Sequence, residues 1–264
     1  MMRSLISRTL FERRWFIAGW SLVFAVMTAL VVIFYPSFSD SSAIDQLSKT
    51  MPQQLQGLIG DPDQYRTLEG FIASQIYDIR MPIMIMIMGL MLALGLTVRE
   101  EESGELRSLS MLSISRTRIL SEKWLAALLI IAVLNLVAVA GTYVGVVSLG
   151  EDIPHELIWR LMALSTVFGA VAFTIPFSIG LMSGRRAPTM FVGLVVTIGS
   201  FLLTTFAKAV DWLRDWERLS LVHYYDTSII LDKKFDIADL WILLSVTVVM
   251  LGLAILAFRN RDIA

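Results

Sequence analysis

No cysteine occurs among the 264 residues of this chain, which excludes disulfides, iron–sulfur clusters and thiolate zinc sites. Histidine is nearly as scarce. His155 and His223 stand alone, without an HExxH or paired-histidine spacing, so no metal site is expected. The sequence has no GxSxG nucleophile elbow. It also has no GxxxxGK[ST] phosphate loop, so it does not itself bind and hydrolyse ATP in the P-loop manner. A net charge of −1 gives no reason to expect nucleic acid as a partner. Charge is thin altogether: 17% of residues are charged against 56% hydrophobic, and the mean hydropathy is +0.70. A soluble domain cannot cover its surface with so few polar groups, whereas a bilayer acts as solvent for apolar side chains. The chain reads as an all-α integral membrane protein.

Long apolar runs supply the spans. A helical span needs roughly 20 mostly apolar residues, and helices are required because lipid offers no water to open backbone groups. Six are predicted: Phe16–Tyr35, Met81–Val98, Trp124–Leu149, Leu157–Met182, Thr189–Ala207 and Ala238–Phe258. The first run is too long for a signal h-region and lacks a small-residue cleavage site, so no cleaved leader is expected. No repeat or attached soluble module is evident, and the chain is read as one membrane domain, 1–264. The N-terminus, the connection 99–123, Arg185–Arg186 and the tail together carry 13 basic and 7 acidic residues, the opposite connections 9 and 16. Basic residues favour the cytoplasmic side, so both termini and residues 99–123 are expected there.

The outer segments are 36–80 and 208–237. The first contains "YRTLEGFIASQIYDIR", a predicted helix with Leu68, Ile72, Ile76 and Ile79 along one side. The second contains Trp212, Trp216, Tyr224 and Tyr225, which suit either an ordinary interfacial belt or a re-entrant segment lining an exit path. Span interiors are nearly free of ionisable groups; Arg160 and Asp239 sit close to span ends. Ion-coupled carriers keep such groups near the midplane, so their scarcity counts against a secondary transporter and a charged pore. Gly141 and Gly145 form a GxxxG, which serves internal packing or a dimer interface. Pro176 should kink the fourth span. Five methionines crowd the run "MPIMIMIMGLM", as apolar filler or as an adaptable surface for cargo.

The polar stretch "REEESGELRSLSMLSISRTRILSEK", Arg99–Lys123, interrupts all this with five basic and five acidic residues. Helical spacing from Glu102 aligns Glu105, Leu106, Leu109 and Leu112, two carboxylates heading three leucines. Such a stripe suits docking on a partner, and an exposed amphipathic hairpin is the alternative. Gly104 implies a bend or close approach, and Ser115 or Thr117 can cap a helix running into the third span.

This stretch resembles the cytoplasmic signature of type-2 ATP-binding-cassette exporter permeases, a Glu–x–Gly–Thr–Leu–x–x–Leu run followed by Pro/Ser–Ile–Ser/Thr–Arg and a lysine. The matching residues are Glu102, Gly104, Leu106, Leu109, Ile114, Ser115, Arg116 and Lys123, with Glu105 at the threonine position and Ser113 at the proline. "MMRSLISRTLFERRW", residues 1–15, is similar to the family's basic elbow helix. "ERLSLVHYYD" is similar to its Leu–Ser–Pro–x–x–Tyr element, with Leu221 for proline, and "FRNRDIA" to its Arg–x–Asp tail. The resemblance implies six spans with cytoplasmic termini and a coupling helix between spans 2 and 3. It implies a second permease subunit, identical or homologous, and two separate ATPase subunits that hold ATP and Mg, with no cofactor in this chain. Glu102, Gly104, Glu105, Leu106, Leu109, Ile114, Ser115 and Arg116 would contact the ATPase, with Glu102 and Arg116 as polar anchors. The function so implied is ATP-driven export of a hydrophobic or amphipathic cargo (drug, antibiotic or lipid) across the cell membrane. A non-transporting sensor or assembly module on the same fold is the alternative.

Overall fold

The computed structural model describes residues 5–38, 65–105, 115–207, 210–225, 227 and 237–261, and among these every regular element is helical. A short helix, α1 (Leu5–Glu12), precedes six helices long and apolar enough to cross a bilayer. These are α2 (Arg14–Ile33), α3 (Leu68–Glu102), α4 (Arg116–Leu149), α5 (His155–Ser183), α6 (Arg186–Ala207) and α7 (Ile237–Asn260).

The expected span count is met; α2 ends at Ile33 rather than Tyr35, and elsewhere boundaries move outward where polar residues extend a helix beyond its apolar run. The largest difference is α3, expected from Met81 and found from Leu68. Thr67 caps this helix by accepting a hydrogen bond from the Gly70 N–H at 3.1 Å. The segment "YRTLEGFIASQIYDIR" is therefore the beginning of the second span, with Leu68, Ile72 and Ile76 buried. Residues Ala73–Arg80 are wound as π-helix, ending where Pro82 withholds a backbone donor from the ladder. At the start of α4, Ser115 is the cap, its Oγ accepting from the Arg118 N–H at 3.3 Å.

Burial divides the bundle. The apolar stretches of α3, α4 and α5 are 72%, 56% and 61% buried, and those of α2, α6 and α7 17%, 28% and 17%. The first three form the core and the others line its flanks, their outer faces carrying Leu22, Val26, Phe191, Ile198, Val248 and Leu256 exposed. In water these faces would be untenable; in lipid they are solvated. α2 lies along α4, and the reason is Gly141 and Gly145. A Cβ at Gly141 would fall 2.2 Å from Thr28 Oγ1 and one at Gly145 2.6 Å from Val32 Cβ. The GxxxG is thus an internal seam that lets two backbones approach. α5 continues as helix through Pro176, packing on α3 and α7.

At the end away from α1, residues 210–225 form short turns folded back onto the bundle. The Ser220 Oγ donates to the Ser200 carbonyl at 2.8 Å and lies 2.6 Å from Thr204 Oγ1. Tyr225 is buried, its hydroxyl 2.6 Å from Ser165 Oγ and its ring 4.8 Å from that of Phe168. Trp212 and Trp216 stay exposed, so the four aromatics divide: the tryptophans fit an interfacial belt, while Tyr225 reaches into the helix bundle.

Candidate functional site

The residues flanking the polar stretch meet at one end of the bundle, together with α1 and the last described residue, Arg261. Both described ends of the chain therefore lie on the same face, here called the basic face. Val98–Glu102 forms the final turn of α3 and places three carboxylates in succession, each turned about 100° from the last.

Glu100 faces inward. Its side chain pairs with Lys123 of α4, and Arg13, at the turn between α1 and α2, lies 3.7 Å from its second oxygen. Lys123 also donates to the Leu96 carbonyl at 3.3 Å, and Arg13 donates to the Gly95 carbonyl. Only 3% of Lys123 and 6% of Glu100 is exposed. Charges so far from water survive only when paired and hydrogen-bonded, and here three helices supply the partners.

Glu101 faces the other way and pairs with Arg261, whose second guanidinium nitrogen donates to the Leu181 carbonyl of α5 at 2.8 Å. Arg116 donates to the carbonyls of Arg261, at 2.5 Å, and of Phe258, at 3.3 Å. The last turn of a helix leaves its carbonyls without intrahelical partners, and Arg116 satisfies two at the end of α7. Glu102, the third carboxylate, is exposed.

The helix ends at Glu102 because Ser103 and Gly104 turn, Gly104 with φ of 75°, a conformation glycine adopts without steric cost. Glu102 and Glu105 therefore do not share one continuous helix face, contrary to the spacing expected from Glu102 onward. Glu105 instead pairs with Arg8 of α1, which also bonds Glu12 at 2.6 Å. That Glu12 hydrogen bond, with the neighbouring carboxylates, holds the Arg8 guanidinium pKa above its ordinary value. Glu122 ties the same seam, accepting from the Leu5 N–H at 2.8 Å and from Arg118 at 2.7 Å.

Of the residues expected to contact an ATPase, Glu102 and Ser115 are exposed, Gly104 forms the turn, and Glu105 and Arg116 are half-buried in contacts within the chain. Leu106, Leu109 and Ile114, with Leu112 of the stripe, lie outside the described residues. Sequence spacing missed Glu100, Glu101, Arg13 and Arg261. A signal was present: opposite charges stand within a turn of the apolar runs, with three glutamates just past Val98 and lysine just before Trp124. Among the described residues no three His, Asp or Glu side chains converge to hold a metal.

At the opposite end, burial pushes the Tyr225 phenol pKa well above the usual range. It therefore stays a neutral hydrogen-bonding group beside Ser165. Tyr77 is fully buried near Thr142, its hydroxyl without a hydrogen bond of normal geometry.

Residues 8–263 match the family described as ABC-2 family transporter protein. No curated protein gives a significant match. A match over nearly the whole chain shows the family: the chain belongs to the ABC-2 transporter proteins, as a multi-pass permease subunit of the plasma membrane that is not itself catalytic. Membership implies an ABC ATPase partner.

Proposed function

We propose that this ABC-2 permease is the membrane half of an exporter, working with a second permease subunit, identical or homologous, and two ATPase subunits that hold ATP and Mg. The basic face is its cytoplasmic face, by the distribution of lysine and arginine. Residues 99–123 dock on the ATPase, with Glu102, Gly104, Glu105, Leu106, Leu109, Ile114, Ser115 and Arg116 in or beside the contact. α1 acts as the elbow at the membrane surface.

The observation that carries this reading is the build of the basic face. On both sides of its central residues the connection 99–123 is anchored by ion pairs, to α1 and to the ends of the spans. Force applied to the connection would reach the spans through those anchors. Glu102 is the carboxylate left exposed for a partner, and Arg116 supports the contact from behind by holding the end of α7. The apolar span surfaces suit a hydrophobic or amphipathic cargo that can enter from the lipid.

Purification in mild detergent should retain an ATPase subunit, and inside-out vesicles bearing the complex should accumulate a fluorescent amphipathic dye on ATP addition. Glu102→Ala and Leu109→Asp should each lower permease-dependent phosphate release. An ATPase that binds and hydrolyses equally well with both variants rejects the docking assignment. Ligand-dependent signalling without dye flux would favour a sensor instead.

A further inference from the structure

We propose that Arg185, Arg186 and Arg259 form a binding surface for the headgroup phosphate of an anionic phospholipid, whose acyl chains lie along the exposed apolar face of α6. The proposal goes beyond the exporter reading and does not depend on it, because it concerns the lipid that the basic face meets.

Most cationic groups on the basic face are satisfied within the chain. Arg8 pairs with Glu12 and Glu105, Arg13 and Lys123 with Glu100, Arg118 with Glu122, and Arg261 with Glu101. Arg116 donates to two carbonyls, and Arg14 stacks over the Phe11 ring. Arg99, Arg185, Arg186 and Arg259 differ: all four are exposed, and among the described residues their side chains make no ion pair or hydrogen bond. Three of the four stand at one place. Arg261 donates to the Leu181 carbonyl, and Gly184 packs so closely on its guanidinium that a Cβ there would overlap it. Arg185 and Arg186 directly follow Gly184, and Arg259 lies two residues before Arg261, so all three are within two residues of that contact. The carboxylate at the contact, Glu101, is taken by Arg261. Even with the exposed Glu102 counted beside Glu101, the four arginines leave the surface positive.

The turn at Gly184 joins two spans, so its arginines lie at the membrane surface, where a cationic cluster attracts anionic headgroups. Beneath them on α6, Phe191, Leu194 and Val195 are exposed. Leu194 and Val195 lie three and four residues beyond Phe191, so the three share a face. At 1.5 Å per residue they sit about 7–14 Å below Arg186, within reach of the upper acyl chain. Cations above an apolar face match an amphiphile with an anionic head. A soluble phosphate would engage the arginines and leave the face uncovered, and a zwitterionic lipid would cover the face without bringing net charge.

The absence of native cysteine permits a fluorophore at Phe191→Cys, with Leu129→Cys as control. Leu129 is also exposed, and it lies on α4 at a similar distance from Lys123, a cation that is already paired. The labelled full complex would be reconstituted in symmetric phosphatidylcholine vesicles carrying brominated phosphatidylglycerol or brominated phosphatidylcholine as quencher. Brominated phosphatidylglycerol should quench the Phe191 label at a mole fraction at least about fivefold lower than brominated phosphatidylcholine needs, the effect of one arginine at an anionic surface. Both lipids should quench the Leu129 label equally. The combined replacement Arg185→Gln, Arg186→Gln and Arg259→Gln should remove the preference while quenching by brominated phosphatidylcholine and the thermal midpoint stay unchanged. Equal quenching by both lipids in the unreplaced chain overturns the proposal, as does a preference that survives the triple replacement. A Phe191 label that neither lipid reaches overturns it too, because a second subunit would then cover this face. A triple variant that keeps the preference but loses its ATPase subunit assigns the arginines to that partner instead. None of these outcomes bears on whether the complex transports, which the dye assay decides separately.

Discussion

The two ends of this bundle are joined by different chemistry. The basic face is held by ion pairs, two of whose members, Glu100 and Lys123, are almost wholly removed from water. Among the described residues the opposite end joins separate elements through hydroxyls, Ser165 to Tyr225 and Ser220 to Ser200 and Thr204, while its contacts Glu156–Arg160 and Glu217–His223 each lie within one segment. A neutral hydrogen bond contributes about 1 kcal/mol net, whereas stripping one partner from a buried ion pair costs about 3–5 kcal/mol. The hydroxyl end can therefore part bond by bond at modest cost, and the charged end moves as a unit or not at all. A permease driven from its basic face and releasing cargo at the other end would need that asymmetry.

The test with the largest expected effect removes one buried charge. Lys123→Met leaves Glu100 with only Arg13 at 3.7 Å for company, and should destabilise the subunit by about 3–5 kcal/mol. Thermal unfolding in detergent would read this as a large drop in midpoint. Glu100→Gln/Lys123→Met should recover most of the loss, because both charges of the buried pair are gone and Arg13 keeps the Gly95 carbonyl. A single variant as stable as the parent would erase the contrast between the two ends.

Between the ends lies the α2–α4 seam, which neither charge nor hydroxyl holds. Gly141→Val should cost about 1–3 kcal/mol by overpacking, since the first added carbon already meets Thr28 Oγ1 and, at 2.6 Å, the Ala25 carbonyl. If the loss appears in unfolding but ATP-driven movement of α2 persists, the seam is a passive contact and the ends carry the mechanism.

The seam was also legible in the sequence, as a GxxxG, though its partner helix was not. The six spans could be read from length and hydropathy because lipid imposes both. What escaped was continuity where polar residues extend a helix: the spacing of Leu68, Ile72, Ile76 and Ile79 shows a helix in the outer segment, but the polar residues between them hide that it runs unbroken into the second span, with Leu68, Ile72 and Ile76 in the core. The candidate site was half-legible for a related reason. Spacing rules assume one unbroken helix, and Gly104 breaks it between Glu102 and Glu105. Glu100 to Lys123 and Glu101 to Arg261 are contacts across the fold, and periodicity within a segment carries no information about those.

At the hydroxyl end a smaller effect is expected. Tyr225→Phe removes one hydrogen bond while keeping the ring on Phe168, and should cost about 1 kcal/mol. Its signature would be functional rather than structural: a larger population of the opened end in vanadate-free complex, seen as increased labelling of a cysteine introduced at the buried Val222. If Tyr225→Phe destabilised as much as Lys123→Met, the opposite end would not be the weaker one.

The smallest effect should come from Arg118→Ala. Its partner Glu122 is one helical turn away and the arginine is largely exposed, and such pairs contribute about 0.3–0.5 kcal/mol. Glu122 itself has a second duty, accepting the Leu5 N–H at the start of α1. Glu122→Ala should therefore exceed Arg118→Ala, and the excess measures how firmly α1 is fastened to α4. Equal effects, read from thermal midpoints of the two variants, would mean that α1 rides on the membrane surface without being fixed to the charged clamp. Its Arg8 contact to Glu105 would then be incidental. A clear excess would make α1 a third arm of the same assembly, held by Glu122 at one end and by Arg8 at the other.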